Sequence, residues 1–162
     1  MSSSPEIAAL PLDFLSRAAP HITVTRVDFA QTAAPKYANL YACILDHVFS
    51  ADECARLVAY ASAACDGQWQ QARVNRGAGK DAELNTERRK CERLILDDKE
   101  LAARIWRRVQ DHVPELLLVE GRAEVTGPGP VKRGESWRFE RLNERLRFLK
   151  YGSGEYFRSE YY

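Results

Sequence analysis

Three histidines and a scatter of acids are the residues most able to hold a metal in this 162-residue chain. A non-haem Fe(II) centre needs two histidines and one carboxylate on one face of the ion. His21, His47 and His112 form no pair at i, i+2 or i, i+4 with an acid. His47 follows Asp46, but neighbours on a strand point to opposite faces, so the two do not chelate together. All three histidines read as structural, with His112 a dipole-stabilised side chain near a helix C-terminus. Cys43, Cys54, Cys65 and Cys91 include no C-x-x-C pair, and no histidine lies at zinc-finger spacing from them. They read as reduced, mostly buried thiols of a cytosolic or nuclear protein. No G-x-S-x-G elbow, P-loop or dinucleotide glycine motif occurs.

Two basic stretches could bind anions. Arg88, Arg89, Lys90 and Arg93 could grip phosphate, but Glu87 and Glu92 interrupt the run and favour a solvated face with local ion pairs. Residues 137–151 interleave Trp137, Phe139, Phe148 and Tyr151 with Arg138, Arg141, Arg145, Arg147 and Lys150. Such a pattern can stack single-stranded nucleic acid. Core aromatics with a wet charged face explain it more simply, so nucleic acid is not the favoured partner.

The elements that must position these groups follow from pattern. The composition, 45% apolar and 29% charged with a formal charge of +1, is that of one globular domain with no global pull toward polyanions. No apolar stretch approaches the roughly 20 residues that span a bilayer, and the N-terminus lacks a basic n-region, so neither membrane nor signal peptide is expected. Residues 1–20 read as a flexible N-terminal arm with a helical turn near Leu12–Leu15. Residues 22–29 alternate as a strand, and the nearly continuous apolar run 40–45 reads as an interior one. Ser50 and Glu53 form a capping box for a helix to about Cys65, with Cys54, Leu57, Val58 and Ala61 on one face and Asp66-Gly67 as the stop. Residues 69–87 read as a long loop with short strands near 70–74. A second helix opens at 97–100, turns Leu101, Ile105 and Val109 inward with Trp106 a further candidate for that face, turns Arg104, Arg107 and Arg108 outward, and stops at Pro114. Leu116–Val119 is a helix tail or a brief strand. Gly127-Pro128-Gly129-Pro130 cannot hold regular structure, which makes 121–136 a flexible loop. At the end, the aromatic run to Tyr151, the turn residues Gly152-Ser153-Gly154 and the pair Tyr156-Phe157 read as a β-hairpin.

The spacing Asn143-x-x-Leu146-Arg147-x-Leu149-x-Tyr151-x-x-Gly154-x-Tyr156-Phe157 resembles the approach to the active site in prolyl 4-hydroxylase-like oxygenases, which use Fe(II) and 2-oxoglutarate. The strand, loop and capped helix from 40 to 65, and Asn85-x-x-Arg88 through Cys91-x-Arg93 to Asp97, resemble the same family. The resemblance implies an α+β fold comprising the support helices and first strands of a double-stranded β-helix (jelly roll) over 21–162, truncated before most of the roll. It implies a dioxygenase that hydroxylates a protein or small molecule, with Fe(II) and 2-oxoglutarate as cofactors and ascorbate in support. It also opens the endoplasmic reticulum as a compartment. In that family a His-x-Asp motif follows the aromatic pair and supplies two iron ligands. Here those positions read Glu160-Tyr161-Tyr162. The expectation is therefore a chain with no catalytic residue or metal ligand of its own, inactive by itself and binding none of these cofactors. Tyr151 would project into the cosubstrate pocket and Tyr156 would line it; a plain aromatic role on the hairpin is the alternative for both. A rival reading is a non-catalytic interaction module that pairs its C-terminal hairpin, or another unpaired strand edge, with a second chain.

Overall fold

The computed structural model describes residues 10–16, 19, 21–73 and 85–158. In chain order its strands and α-helices are β1 (Thr23–Arg26), β2 (Cys43–Asp46), α1 (Ala51–Ala64), β3 (Gln70–Gln71), β4 (Arg89–Lys90), β5 (Glu92–Asp97), α2 (Lys99–Val109), β6 (Leu118–Glu120), α3 (Ala123–Thr126), α4 (Pro128–Lys132), β7 (Ser136–Arg138), β8 (Arg145–Lys150) and β9 (Tyr156–Phe157). The fold is mixed α+β, with small antiparallel sheets ordered β1-β2, β3-β5-β8, β4-β9 and β6-β7. No helix among the described residues is long and apolar enough to cross a membrane. Contacts divide the chain into two compact units.

The first unit takes 10–12, 52–73, 85–99 and 143–158 among the described residues. Acidic Asp52 and Glu53 occupy the first turn of α1, at the positive end of the dipole. The helix ends where expected. Asp66 and Gly67 both take positive φ, 52° and 67°, and the Gly67 N–H donates to the Ser62 carbonyl at 2.6 Å. That is the 6→1 closure of a Schellman-type cap. The buried stripe of α1 is narrower than expected. Leu57 and Ala61 are buried, whereas Cys54 is exposed and Val58 half-exposed. In the sheet, Leu94 at 2% exposure and Cys91 at 1% are the most enclosed large side chains.

The second unit takes 13–16, 19, 21–51 and 100–142 among the described residues. Its core holds Phe14, Leu15, Leu101, Ala102 and Val113. The described stretch of the N-terminal arm is thus packed at Phe14 and Leu15, inside the turn over 12–16. β2 alternates half-buried and exposed, with Ile44 52% exposed, and so is not interior. It pairs with β1, whose four residues are all exposed. In α2, Arg108 is buried rather than outward, at 8% exposure. It lies one helical heptad from Leu101 on the same face, and its Nη1 donates to the Val48 carbonyl at 3.0 Å. Phe139 stacks on Trp106 at 4.0 Å.

Residues 121–136 contain regular structure, contrary to the glycine–proline argument. α3 and α4 occupy 123–126 and 128–132. Pro128 stands in the first turn of α4, where no N–H is required of it, and its ring pre-sets the helical φ. Gly127, at φ 82°, makes the break between the two helices. The run 116–120 resolves as a 3₁₀ turn ending at Leu116 followed by β6, which pairs Val119 with Trp137 of β7.

Candidate functional site

The segment that carries the family-like spacing is built as one antiparallel track. β8 pairs with β5 from Glu92↔Lys150 to Asp97↔Arg145. Ion pairs close the ladder at both ends: Lys150 reaches Glu92 at 3.0 Å, and Arg145 grips Asp97 through two bonds of 2.9 Å. Next comes a four-residue turn. The Glu155 N–H donates to the Gly152 carbonyl at 3.1 Å, and the Glu155 carboxylate accepts from the Gly152 N–H at 2.7 Å. Gly154 has φ 75°, as the third position of a type II turn requires.

The turn is as expected but the hairpin is not. β9 does not fold back onto β8. It pairs with β4, Arg89↔Phe157 and Lys90↔Tyr156, and the Arg158 N–H donates to the Arg88 carbonyl at 2.9 Å. Only Cys91 separates β4 from β5, so β8 and β9 both run against the same stretch, 89–97. Residues 151–155 are an excursion from one continuing ribbon. Local turn chemistry cannot choose between these outcomes, because the receiving strand lies some distance back in the chain.

The excursion gathers side chains on the 86–91 segment. Arg89 Nε donates to the Cys91 thiol sulfur at 3.2 Å, and its guanidinium lies 4.8 Å from the Phe157 ring centroid. Burial opposes the Arg89 charge, but Cys91 and Tyr151 outweigh it and hold the group above its ordinary value. Tyr151 is raised above 10.0, first by its hydrogen bond with Cys91 and then by burial. The Tyr156 hydroxyl donates to the Thr86 carbonyl at 3.0 Å, and Arg158 covers its ring at 5.0 Å. Both tyrosines singled out from the sequence are therefore brought onto one platform. Neither lines the cavity that opens beside β5.

That cavity, of about 290 Å³, lies between the end of α1 and β5. Cys65, Asp66, Gln68, Gln70, Arg93 and Ile95 line it. The Cys65 thiol donates to the Ile95 carbonyl at 3.4 Å, which closes one wall. Register pairs Gln70 with Arg93, so their side chains stand on the same face. Arg93 is half-buried, and its Nε is inaccessible with no hydrogen-bond partner among the described residues. Burial, then the like charges of Arg89, Arg147 and Arg73, pull it below its ordinary value. The solvated-face reading of the basic run thus fits Arg88 and Lys90, which are exposed, but not Arg89 and Arg93. Glu92 does not neutralise Arg93, because strand alternation sends it to the other face, where it meets Lys150. Sequence reasoning missed Gln68, Gln70 and Cys65; no motif marks them.

The other candidates separate. His21, His47 and His112 all belong to the second unit, with His47 at φ 62° just after β2. There Tyr41 packs under the Arg26 guanidinium at 4.9 Å, beside Cys43 and Glu115. Burial, with the hydrogen bond to Cys43, pushes its hydroxyl up to about 12. Of the proposed stacking strip, Trp137 and Phe139 fall in the second unit and Phe148 and Tyr151 in the first. Among the described residues no group of three or more His, Cys, Asp or Glu is placed to hold a metal. Glu160-Tyr161-Tyr162 lie outside the described residues. Comparison with protein-family models, curated proteins and solved structures finds no match.

Proposed function

We propose that this chain carries the support helices and first strands of a prolyl 4-hydroxylase-like jelly-roll domain, and that it does not assemble the iron centre from its own side chains. The observation that supports this is the ribbon. The motif-bearing segment 143–157 runs against 89–97 as a single track, with Tyr151 before the turn and Tyr156 after it. On this reading the track is the strand pair that leads into the iron-binding motif, and the two tyrosines stand beside the position of 2-oxoglutarate. The substrate class is that of the family, a protein or small molecule. At the two motif positions the chain has Glu160 and Tyr162 in place of histidine and aspartate.

Two measurements test it. Purified chain incubated with Fe(II), 2-oxoglutarate and ascorbate should form no succinate; stoichiometric ferrous binding with succinate formation overturns the non-catalytic half of the proposal. Introducing Glu160→His together with Tyr162→Asp should create a bidentate cobalt(II) site with a new visible absorption band. A double variant that binds cobalt(II) no better than the parent refutes the kinship. A second reading, strand addition by a partner, has in its favour that β8 is an edge strand of its sheet. Exposed Arg145, Arg147 and Lys150 guard that edge against it.

A further inference from the structure

We infer that the cavity between α1 and β5 is a binding site for a small oxyanion, a carboxylate or a phosphate, gripped by Arg93 with help from the amides of Gln68 and Gln70. Three observations meet there. The cavity is a concave space of about 290 Å³, room for a ligand of a few heavy atoms. Arg93 contributes a half-buried guanidinium whose inaccessible Nε has no hydrogen-bond partner among the described residues. Gln70 is its register partner on the adjacent strand, which sets an amide donor beside the guanidinium. Guanidinium presents a planar fork of donors that matches carboxylate and phosphate oxygens, and an amide adds a further donor.

The energetics favour a ligand over a structural role. A half-buried cation with no ion-pair partner among the described residues is less favourable to the folded chain than a paired one. Arg89, Arg147 and Arg73 add like charge around Arg93, and its proton affinity is lowered accordingly. An arriving anion relieves both costs together. Among the described residues, Asp66 is the one carboxylate lining the cavity and it forms no ion pair with Arg93. It opposes the anion, which gives the proposal a second handle of opposite sign. The inference goes beyond the oxygenase proposal and does not depend on it. Losing oxyanion binding leaves the succinate and cobalt experiments untouched.

Thermal unfolding of the full chain provides the test, with inorganic phosphate and succinate as separate probes and chloride at matched ionic strength as control. At a concentration about tenfold above Kd, either probe should raise Tm by roughly 3–6 °C. A shift with phosphate alone assigns the site to phosphate esters; a shift with succinate alone assigns it to carboxylates. Arg93→Met should raise the ligand-free Tm and abolish the shift, a combination that a merely structural arginine does not give. Asp66→Asn keeps the shape of the helix cap, since asparagine tolerates positive φ, and should enlarge the shift. No shift in the parent with either probe, or an unchanged shift in Arg93→Met, overturns the inference. So does an unchanged or smaller shift in Asp66→Asn, which remains decisive even where the arginine variant fails to fold.

Discussion

The register of β5 against β8 makes a quantitative prediction about two adjacent residues. Leu94 is 2% exposed and stands opposite Phe148; Ile95 is 37% exposed and stands opposite Arg147. Truncating either to alanine removes the same number of carbons. For Leu94 the lost transfer energy is about 2.4 kcal/mol, at ~0.8 per carbon. Incomplete collapse of the cavity brings the cost to about 3 kcal/mol, inside the range for buried leucines. Ile95 already keeps part of its surface in water and can cede its place to solvent, so its truncation should cost about 1 kcal/mol. With a urea m-value of about 2 kcal/mol/M, the midpoints should fall by about 1.5 M and about 0.5 M. Trp69, whose ring lies 5.6 Å from the Lys150 ammonium in the same unit, reports the transition by fluorescence once Trp106 and Trp137 are replaced by phenylalanine. Equal costs, or a larger cost at Ile95, would refute the register, because a slip of one residue exchanges the two faces.

Two further perturbations probe the turn and the second unit. Gly154 holds φ 75° with open space around it, so Gly154→Ala should cost about 1 kcal/mol of backbone strain alone. Gly152 has no positive φ and would meet only the Glu155 side chain at 3.5 Å, so Gly152→Ala should be nearly neutral; equal losses would remove the type II assignment. Tyr41 should ionise near its value of about 12 in ultraviolet titration. Its folded value lies above the unfolded 10.0, so the unfolded chain releases the proton first and stability falls as pH rises between the two values. Tyr41→Phe should flatten that alkaline slope, and an unchanged slope would show that another group causes it.

Legibility from sequence tracked how local each decision was. The end of α1 was readable because Asp66-Gly67 carries its own reason to leave the helix. The turn at 152–155 was readable for the same reason, with Gly154 placed where a positive φ is needed. Arg108 was misread because residue type was given more weight than position. Its place on the face of Leu101 was visible, but the Val48 carbonyl that accepts from it comes from a segment sixty residues earlier. The 128–132 helix was misread because proline and glycine were taken as breakers without regard to where in a helix they would fall. The cavity was not legible at all. Its lining joins a helix terminus to the far end of a strand through a register that no local pattern encodes.

The continuing ribbon changes what the two tyrosines can do together. In a hairpin, Tyr156 would return beside β8, and Tyr151 and Tyr156 would be near cross-strand neighbours. Against 89–97 they are instead carried past one another. Tyr151 leaves the ladder after Lys150 and settles on Cys91 and Arg89, whereas Tyr156 rejoins it opposite Lys90 and anchors on Thr86. Each hydroxyl is thereby tied to the 86–91 segment, not to the other tyrosine. Motion of the 85–91 segment would displace both, and motion of the 152–155 turn alone would displace neither anchor. If the tyrosines do face a cosubstrate, the residues that set their positions are Thr86, Arg89 and Cys91, which lie sixty or more residues before them in the chain.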